Sequence, residues 1–481
     1  MAVKRYHSIA DNTITNAHVG SSENLRATGS NTGRSDVLEI YSIYGRATTS
    51  SAELSRIITK FDIDKMVSDR ASGILPQQGS VSFYLRLFNA ETSKTVPENF
   101  TLITEPITQD WDEGYGLDLE NYKDKGPSNW IKATADNDWV SEGGDYDPTL
   151  SYSTDFETGL EDLQLNITDL VEEWLDGSRE NYGVGVRLTS SQEAYSNDNL
   201  DGTTQSFYTK RFFARGTEFF YKKPSIEARW NSSRKDDRGN FYMSSSLASA
   251  EDNINTLYLY NIVRGRLTNI PSVGEGEIYV NLYDGDGGTT PLSQAISTPA
   301  TGGFVSTGIY SCSVCIEGDY DTLRDVWFVG EQEFYAGTIK PKTLSSYGYS
   351  PNSRKLVKIT NFEHLYSNDE NVRFNVYIRE RNWSPTIYTV ATASPENTII
   401  QSASYRIYRE LDGLEIIPHG TGSDKQTLLS YDSNGNYFDF DMSLLEHGYS
   451  YTIKFAFYND ERKSWDEQSE KFTFRVVDNE Y

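Results

Sequence analysis

The sequence predicts an all-β protein of serial β-sandwiches: an N-terminal sandwich carrying one short helix, then two immunoglobulin-like domains. Three observations predict it. The 481 residues include 33 Tyr, 22 Phe and 8 Trp against 5 His, 4 Met and 2 Cys, a mixture suited to long β surfaces. Apolar residues alternate at period two in several runs, separated by Gly-, Asn- and Ser-rich turns. One stretch, residues 163–188, carries a helical period and then returns to strand alternation.

In that stretch Ile167, Leu170, Val171, Trp174 and Leu175 recur at i, i+3, i+4, i+7 and i+8, so all five share one helical face. Ile167, Leu170, Val171 and Trp174 are the candidate core residues. Asp169, Glu172, Glu173 and Asp176 cover the opposite face. Asn166 is the expected N-cap and Gly177 the expected left-handed stop. Val184, Val186 and Leu188 then alternate as a strand does.

The first domain is expected over residues 1–230, with a long acidic insertion at 112–160. The polar segment 231–239 reads as a junction or exposed loop. A β-sandwich is expected over 231–345, with strands at Thr256–Tyr260, Glu277–Tyr283, Ile309–Ile316 and Val326–Val329. An immunoglobulin-like β-sandwich is expected over 346–481. There Val372, Phe374, Val376 and Ile378 alternate, as do Tyr451, Ile453, Phe455 and Phe457, and Phe472, Phe474 and Val476 close the chain. Asn434-Gly435 between aromatic runs is a two-residue hairpin signal.

The formal charge of −26 opposes nucleic acid as a partner, because phosphate binding needs a concentrated basic surface. No apolar run reaches the length of a membrane span, so no membrane insertion is expected. The opening MAVKRYHSIADNTITNAHVG has no apolar core of a secretory signal, so synthesis is expected in a cytoplasm without export. Cys312 and Cys315 have C-x-x-C spacing but sit in a strand-like run, and packing cysteines are the expected reading. The sequence holds no nucleophile elbow, no zinc-protease helix, no P-loop and no dinucleotide fingerprint, and no enzyme activity is expected. No cofactor or metal is expected. The nearest calcium-type ligands are Asp284 and Asp286, with the run Asp136, Asp138, Asp145 and Asp147, in loops that read as solvated turns.

Trp111, Tyr115, Tyr122, Trp130 and Trp139 cluster in or beside the acidic insertion. They are candidate glycan or partner contacts, since flat rings stack on sugars and carboxylates bond hydroxyls. The alternative is a loop pinned to its own sandwich by buried rings. With six glycines and two prolines between residues 112 and 160, the insertion is expected to order only against a partner.

Two sets of motifs carry a resemblance. The run Asn166-Ile167-Thr168-Asp169-Leu170-Val171, then Trp174-Leu175-Asp176-Gly177 and Asn181-Tyr182-Gly183, resembles the C-terminal signature of the DNRLRE-type β-sandwich, a jelly-roll module of secreted and surface proteins. Ser55–Asp62, Val81–Phe88 and Trp111-Asp112-Glu113-Gly114 resemble its upstream strands and loop, in the same order. The likeness spans about residues 10–230; it departs at Ile58-Thr59 and in the acidic insertion, so no ligand site carries over there. The N-terminal stretches Ile14–Ala17, Asn24–Gly33 and Asp36–Gly45 resemble the opening of structural proteins of large tailed phages, marine and T4-like ones.

Together these imply a non-enzymatic virion component at the neck, collar, tail, fiber or capsid surface (a decoration protein). The expected partners are other virion proteins, further copies of the chain in a homo-oligomeric assembly, and host-surface glycans as an additional contact. The competing expectation is a stand-alone carbohydrate-binding protein with a DNRLRE-type module.

Overall fold

The structure, a computed structural model, describes residues 2–19, 25–285, 287–342, 354–381, 387, 397–460 and 462–478. Multiple antiparallel sheets account for nearly all of its regular structure. The chain divides into two compact units, Ala2–Trp230 and Asn231–Tyr481.

In the first unit ten strands form one continuous sheet system. They are β1 (Val3–Thr15), β2 (Val37–Tyr44), β3 (Ala52–Phe61), β4 (Ser82–Leu87), β5 (Phe100–Pro106), β6 (Tyr152–Phe156), β7 (Leu163–Asn166), β8 (Val184–Leu188), β9 (Phe207–Phe213) and β10 (Ser225–Arg229). The order is β6-β5-β8-β3-β1-β10-β4-β7, and β2 pairs with β3 and β9. Strand β1 belongs to both halves. Val3–His7 pair with β10, Ser8–Thr15 pair with β3, and the register breaks between Ser8 and Ala10. A bulge bends a strand and lets it pass from one layer to the next. Between the layers lies a core that includes Ile57, Phe83, Leu85, Phe156 and Phe212, all with no more than 1% of their surface exposed.

Two helices flank this core among the described residues, α1 (Ile63–Ala71) and α2 (Thr168–Asp176), where the sequence predicts one. Helix α1 carries no continuous apolar stripe; only Met66 of its apolar side chains is buried. It is held instead by its N-cap, where Asp62 accepts from the Lys65 amide, and by Arg70, which forks onto Glu172 of α2. Glu172, assigned by periodicity to the solvent face, is therefore 5% exposed. In α2, Ile167, Leu170, Val171 and Trp174 are buried, and Gly177 closes the helix at φ +77°. The cap is Ile167, one residue after the expected Asn166, whose side chain accepts from both the amide (3.0 Å) and hydroxyl (2.6 Å) of Thr168.

The second unit holds two sheet systems within one compact body. The first comprises β11 (Asn255–Tyr260), β12 (Ile262–Val263), β13 (Arg266–Leu267), β14 (Ile278–Asp284), β15 (Ala300–Ser306), β16 (Ile309–Val314), β17 (Leu323–Val329) and β18 (Gln332–Ile339). Six of these order as β11-β16-β15-β14-β17-β18, and β12-β13 is a separate ribbon. Its core includes Trp327 and Tyr310.

The second system begins with β19 (Lys355–Ile359), β20 (Leu365–Ser367), β21 (Asn371–Glu380), β22 (Ala403–Arg409) and β23 (Glu415–Ile417). It continues with β24 (Ser430–Asp432), β25 (Gly435–Asp441), β26 (Ser450–Asn459), β27 (Ser464–Glu467) and β28 (Phe472–Val477). One sheet is β19-β21-β25-β24; the other is β20-β28-β26-β22-β23, with β27 on β26. Phe374, Val376, Ile378, Tyr451, Ile453 and Phe455 face inward. The β24–β25 hairpin turns on Ser433-Asn434, one residue before the expected pair, and Gly435 takes φ +127°.

Trp174→Ala is expected to cost about 3–5 kcal/mol, the usual range for truncating a buried tryptophan. Chemical denaturation of the whole chain measures it. An unchanged first-unit transition would contradict the packing of α2.

Candidate functional site

The segment between β5 and β6, residues 107–151, is the largest addition to the first sandwich. The sequence placed its end at residue 160, but its last part is strand β6, which pairs Phe100–Thr104 of β5. The rest folds back over the outer face of the sheet. Trp111, Trp130 and Trp139 are 5%, 4% and 5% exposed and form a second small core with Ile14, Ile58, Ile107 and Ala133. This agrees with the alternative of a loop pinned to its own sandwich by buried rings and departs from two other expectations. The three tryptophans are not exposed contacts, and the insertion is packed without a partner, because β1 and β3 supply the apolar surface it lacks.

Hydrogen bonds fix the rings in place. The Trp111 indole donates to the Tyr182 carbonyl and that of Trp139 to the Asn129 carbonyl, both at 2.8 Å. The Arg56 guanidinium lies 5.1 Å from the Trp130 ring and donates to the Gly143 carbonyl at 3.0 Å. Its remaining nitrogens fork onto Glu193 at 2.8–2.9 Å. At Gly143, with φ +87°, a β-carbon would meet the Trp130 ring at 2.8 Å, so only glycine fits.

A polar hub that sequence reasoning missed ties the insertion to the N-terminal loop. Asn31 is fully buried; its amide donates to the carbonyls of Glu113 and Ser128 at 2.9 Å, and its carbonyl accepts from the Gly116 amide at 2.8 Å. Asn12 donates to Ser128 at 2.9 Å and accepts from Thr32 at 3.1 Å. Of these residues, Asn31 and Thr32 lie in the run Asn24–Gly33. The available signal was a polar Asn-Thr-Gly run too short to be a domain linker.

The insertion's acidity has a local explanation. Residues 112–160 hold 12 Asp and Glu against 3 Lys. Many of the carboxylates accept turn amides. Asp118 accepts from Glu120, Asn121 and Lys123, Asp124 from Leu117 and Asp118, and Asp145 from Val140 and Ser141. Asp147 accepts from Arg179 at 2.7 Å and is held at about 2 by that bond. Asp138 sits 3.3 Å from Lys132. Among the described residues no group of three or more His, Cys, Asp or Glu is arranged to hold a metal. Asp284 ends β14, and Asp286 lies outside the described residues.

At one edge of the insertion Glu113 forms a two-nitrogen ion pair with Arg215 and accepts from the Asp11 amide at 3.1 Å. Asp11 accepts from the Arg215 amide at 2.6 Å. Burial pushes Asp11 up to about 7; the Glu113 charge adds to this, and the Arg215 amide and guanidinium oppose it.

Of the other sequence candidates, Tyr122 is half-buried and shares a hydrogen bond with Tyr41 at 2.9 Å. Tyr115 is 84% exposed, with the Arg34 guanidinium 5.5 Å from its ring. Val140 and Leu117, which the sequence did not single out, are 92% and 63% exposed. The site is thus a folded acidic platform that exposes Tyr115, Leu117 and Val140 individually at its surface.

The second unit contains a pocket of about 300 Å³ lined by Lys235, Asp237, Tyr242, Asp252, Gln401 and Tyr431, among others. Asp237 is committed to the Tyr431 hydroxyl at 2.6 Å and the Thr256 amide at 2.7 Å. Both cysteines are buried and free, and burial pushes the Cys312 thiol up to about 12, far from a reactive thiolate.

Fold and site define an all-β protein whose N-terminal sandwich carries a packed acidic insertion. No protein-family model matches the chain, and no curated protein matches it. Among solved structures it is similar to the adhesin InvE of Yersinia pseudotuberculosis, at 10% identity and a TM-score of 0.15 over 49% of this chain. The chain spans 56% of that adhesin. A DUF4785 family protein of Legionella pneumophila matches at 10% identity and a TM-score of 0.13, over 98% of this chain and 91% of that one. Salmonella alpha-2-macroglobulin reacted with methylamine matches at 8% identity and a TM-score of 0.16, over 99% and 34%. At such TM-scores these likenesses carry no argument.

The sign of the Asp11 effect follows from its raised folded value. A carboxyl whose pKa is higher folded than unfolded contributes fully below the unfolded value of about 3.9, and that contribution is lost as pH rises through the folded value. Asp11→Asn keeps the acceptor for Arg215 without the charge. It is expected to raise the melting temperature near about pH 8, by about 2–4 °C per kcal/mol recovered, and to leave it nearly unchanged near about pH 4. Equal shifts at both pH values would contradict the buried-charge assignment.

Proposed function

We propose that the chain is a non-enzymatic structural component of a tailed-phage virion, joined to neighbouring virion proteins through its β-sandwich units. The observation that carries this reading is the platform of the first unit. It is folded, strongly acidic, and exposes Tyr115, Leu117 and Val140 at its surface. Apolar side chains on a preorganised support bind with little ordering cost, and a carboxylate rim selects a partner of opposite charge.

Buried ion pairs make the first unit a preorganised support. Arg56–Glu193, Arg70–Glu172, Arg187–Glu105 and Arg215–Glu113 all join chain segments distant in sequence. Arg5, Arg86 and Arg229 surround Glu227 across three strands; burial acts to raise this carboxyl, but the guanidiniums hold it at about 2. The stand-alone carbohydrate-binding alternative rests on the DNRLRE-type resemblance; burial of Trp111, Trp130 and Trp139 removes three of its five candidate glycan contacts.

Peptide mass spectrometry of purified phage particles that encode this chain tests the proposal. The chain is expected at a fixed stoichiometry to the capsid protein. Val140→Arg is expected to reduce incorporation several-fold without lowering the melting temperature of the free chain. Absence from particles, together with polysaccharide binding by the purified chain, would overturn it.

A further inference from the structure

Lys210 lies inside the first sandwich, on β9, with 1% of its surface exposed. A buried ammonium normally faces a carboxylate. The three hydrogen-bond partners of this Nζ are all neutral oxygens: Asn89 Oδ1 at 2.7 Å, the Gly159 carbonyl at 2.9 Å and the Glu161 carbonyl at 2.7 Å. Two rings enclose it, Phe156 at 5.1 Å and Phe212 at 4.7 Å from their centres. Asn89 is held in register by its bridge to Phe212 and by donation of its own amide to Asp162 at 2.8 Å. Glu161 has a buried side-chain oxygen, Oε2, without a hydrogen-bond partner.

We propose that Lys210 and Asn89 join through an intramolecular isopeptide bond. The amine and the side-chain carboxamide are already in contact, in an enclosed apolar site where a neutral product is favoured over a buried charge.

The step balances without any co-reactant. The Lys210 ammonium gives a proton to the carboxylate of Asp162, which holds the Asn89 backbone amide, and the free amine attacks Cγ of Asn89. The new Nζ–Cγ bond forms as the Cγ–Nδ2 bond breaks. The leaving nitrogen takes one proton from the attacking nitrogen and departs as ammonia, which carries off the carboxyl proton as ammonium and restores the carboxylate. Burial favours the first transfer, since it lowers the Lys210 ammonium to about 8 against the opposing charges of Glu161 and Asp162. The product ties the segment after β4 to β9 and closes a loop across about half of the first unit.

The test is the mass of the full chain as purified, followed by a tryptic map. The intact protein is expected to be lighter than its sequence by one ammonia. The map is expected to contain one branched peptide, Leu87–Lys94 joined to Leu188–Arg211, with cleavage blocked at Lys210. Asn89→Ala and Lys210→Met are each expected to restore the full sequence mass. Because either variant could fail to fold, the wild-type map decides on its own. Recovery of unmodified linear Leu87–Lys94 with normal cleavage after Lys210 would overturn the proposal. So would an ammonia loss that maps elsewhere, as cyclisation at another asparagine would.

Discussion

The first unit depends on a sheet that is apolar on both faces. Successive residues of a strand point to opposite sides, so one strand serves two cores only if adjacent positions are both committed. β3 meets that condition. Ile57 lies in the central core, and Ile58 lies in the tryptophan cluster under the insertion, both fully buried. Arg56, on the same outer face as Ile58, reaches Trp130 and Glu193. Ile14 of β1 completes the outer floor. Left bare, that face would be an apolar patch, and the insertion covers it.

The charge of the insertion follows from the same arrangement. A segment of turns has many backbone amides and few strand partners, and each buried amide needs an acceptor. Aspartates at 118, 124 and 145 supply acceptors two to seven residues from the amides they bind. Acidity here is therefore a folding device first. Where arginines enter, at 56, 187 and 215, they bind glutamates far away in sequence and fix one layer on another.

Much of the fold was legible because it rests on periods. The alternation through Phe374, Val376 and Ile378, and the 3.6-residue stripe of α2, are local signals, and the structure buries those residues. Helix α1 was missed because its support is a single cap at Asp62 and an ion pair to Glu172, 102 residues from Arg70. The tryptophans of the insertion were legible as a cluster, but not their direction. Their floor is formed by residues 14 and 58, in strands whose other face also looked like core. Asn31 was illegible as a hub because its acceptors are backbone carbonyls 82 and 97 residues away. Side-chain-to-backbone bonds leave no pattern in the sequence of the backbone they reach.

That the insertion is a folded second layer rather than a loop awaiting a partner is most directly tested by hydrogen exchange on the purified chain alone. The amides of Ala133, Trp139 and Gly143, which bond to Asn137, Ile131 and Trp130, report on it. The account predicts that they are protected to a degree comparable with amides of β3, since all close on the same sheet. Exchange at the rate of an unstructured chain would contradict it.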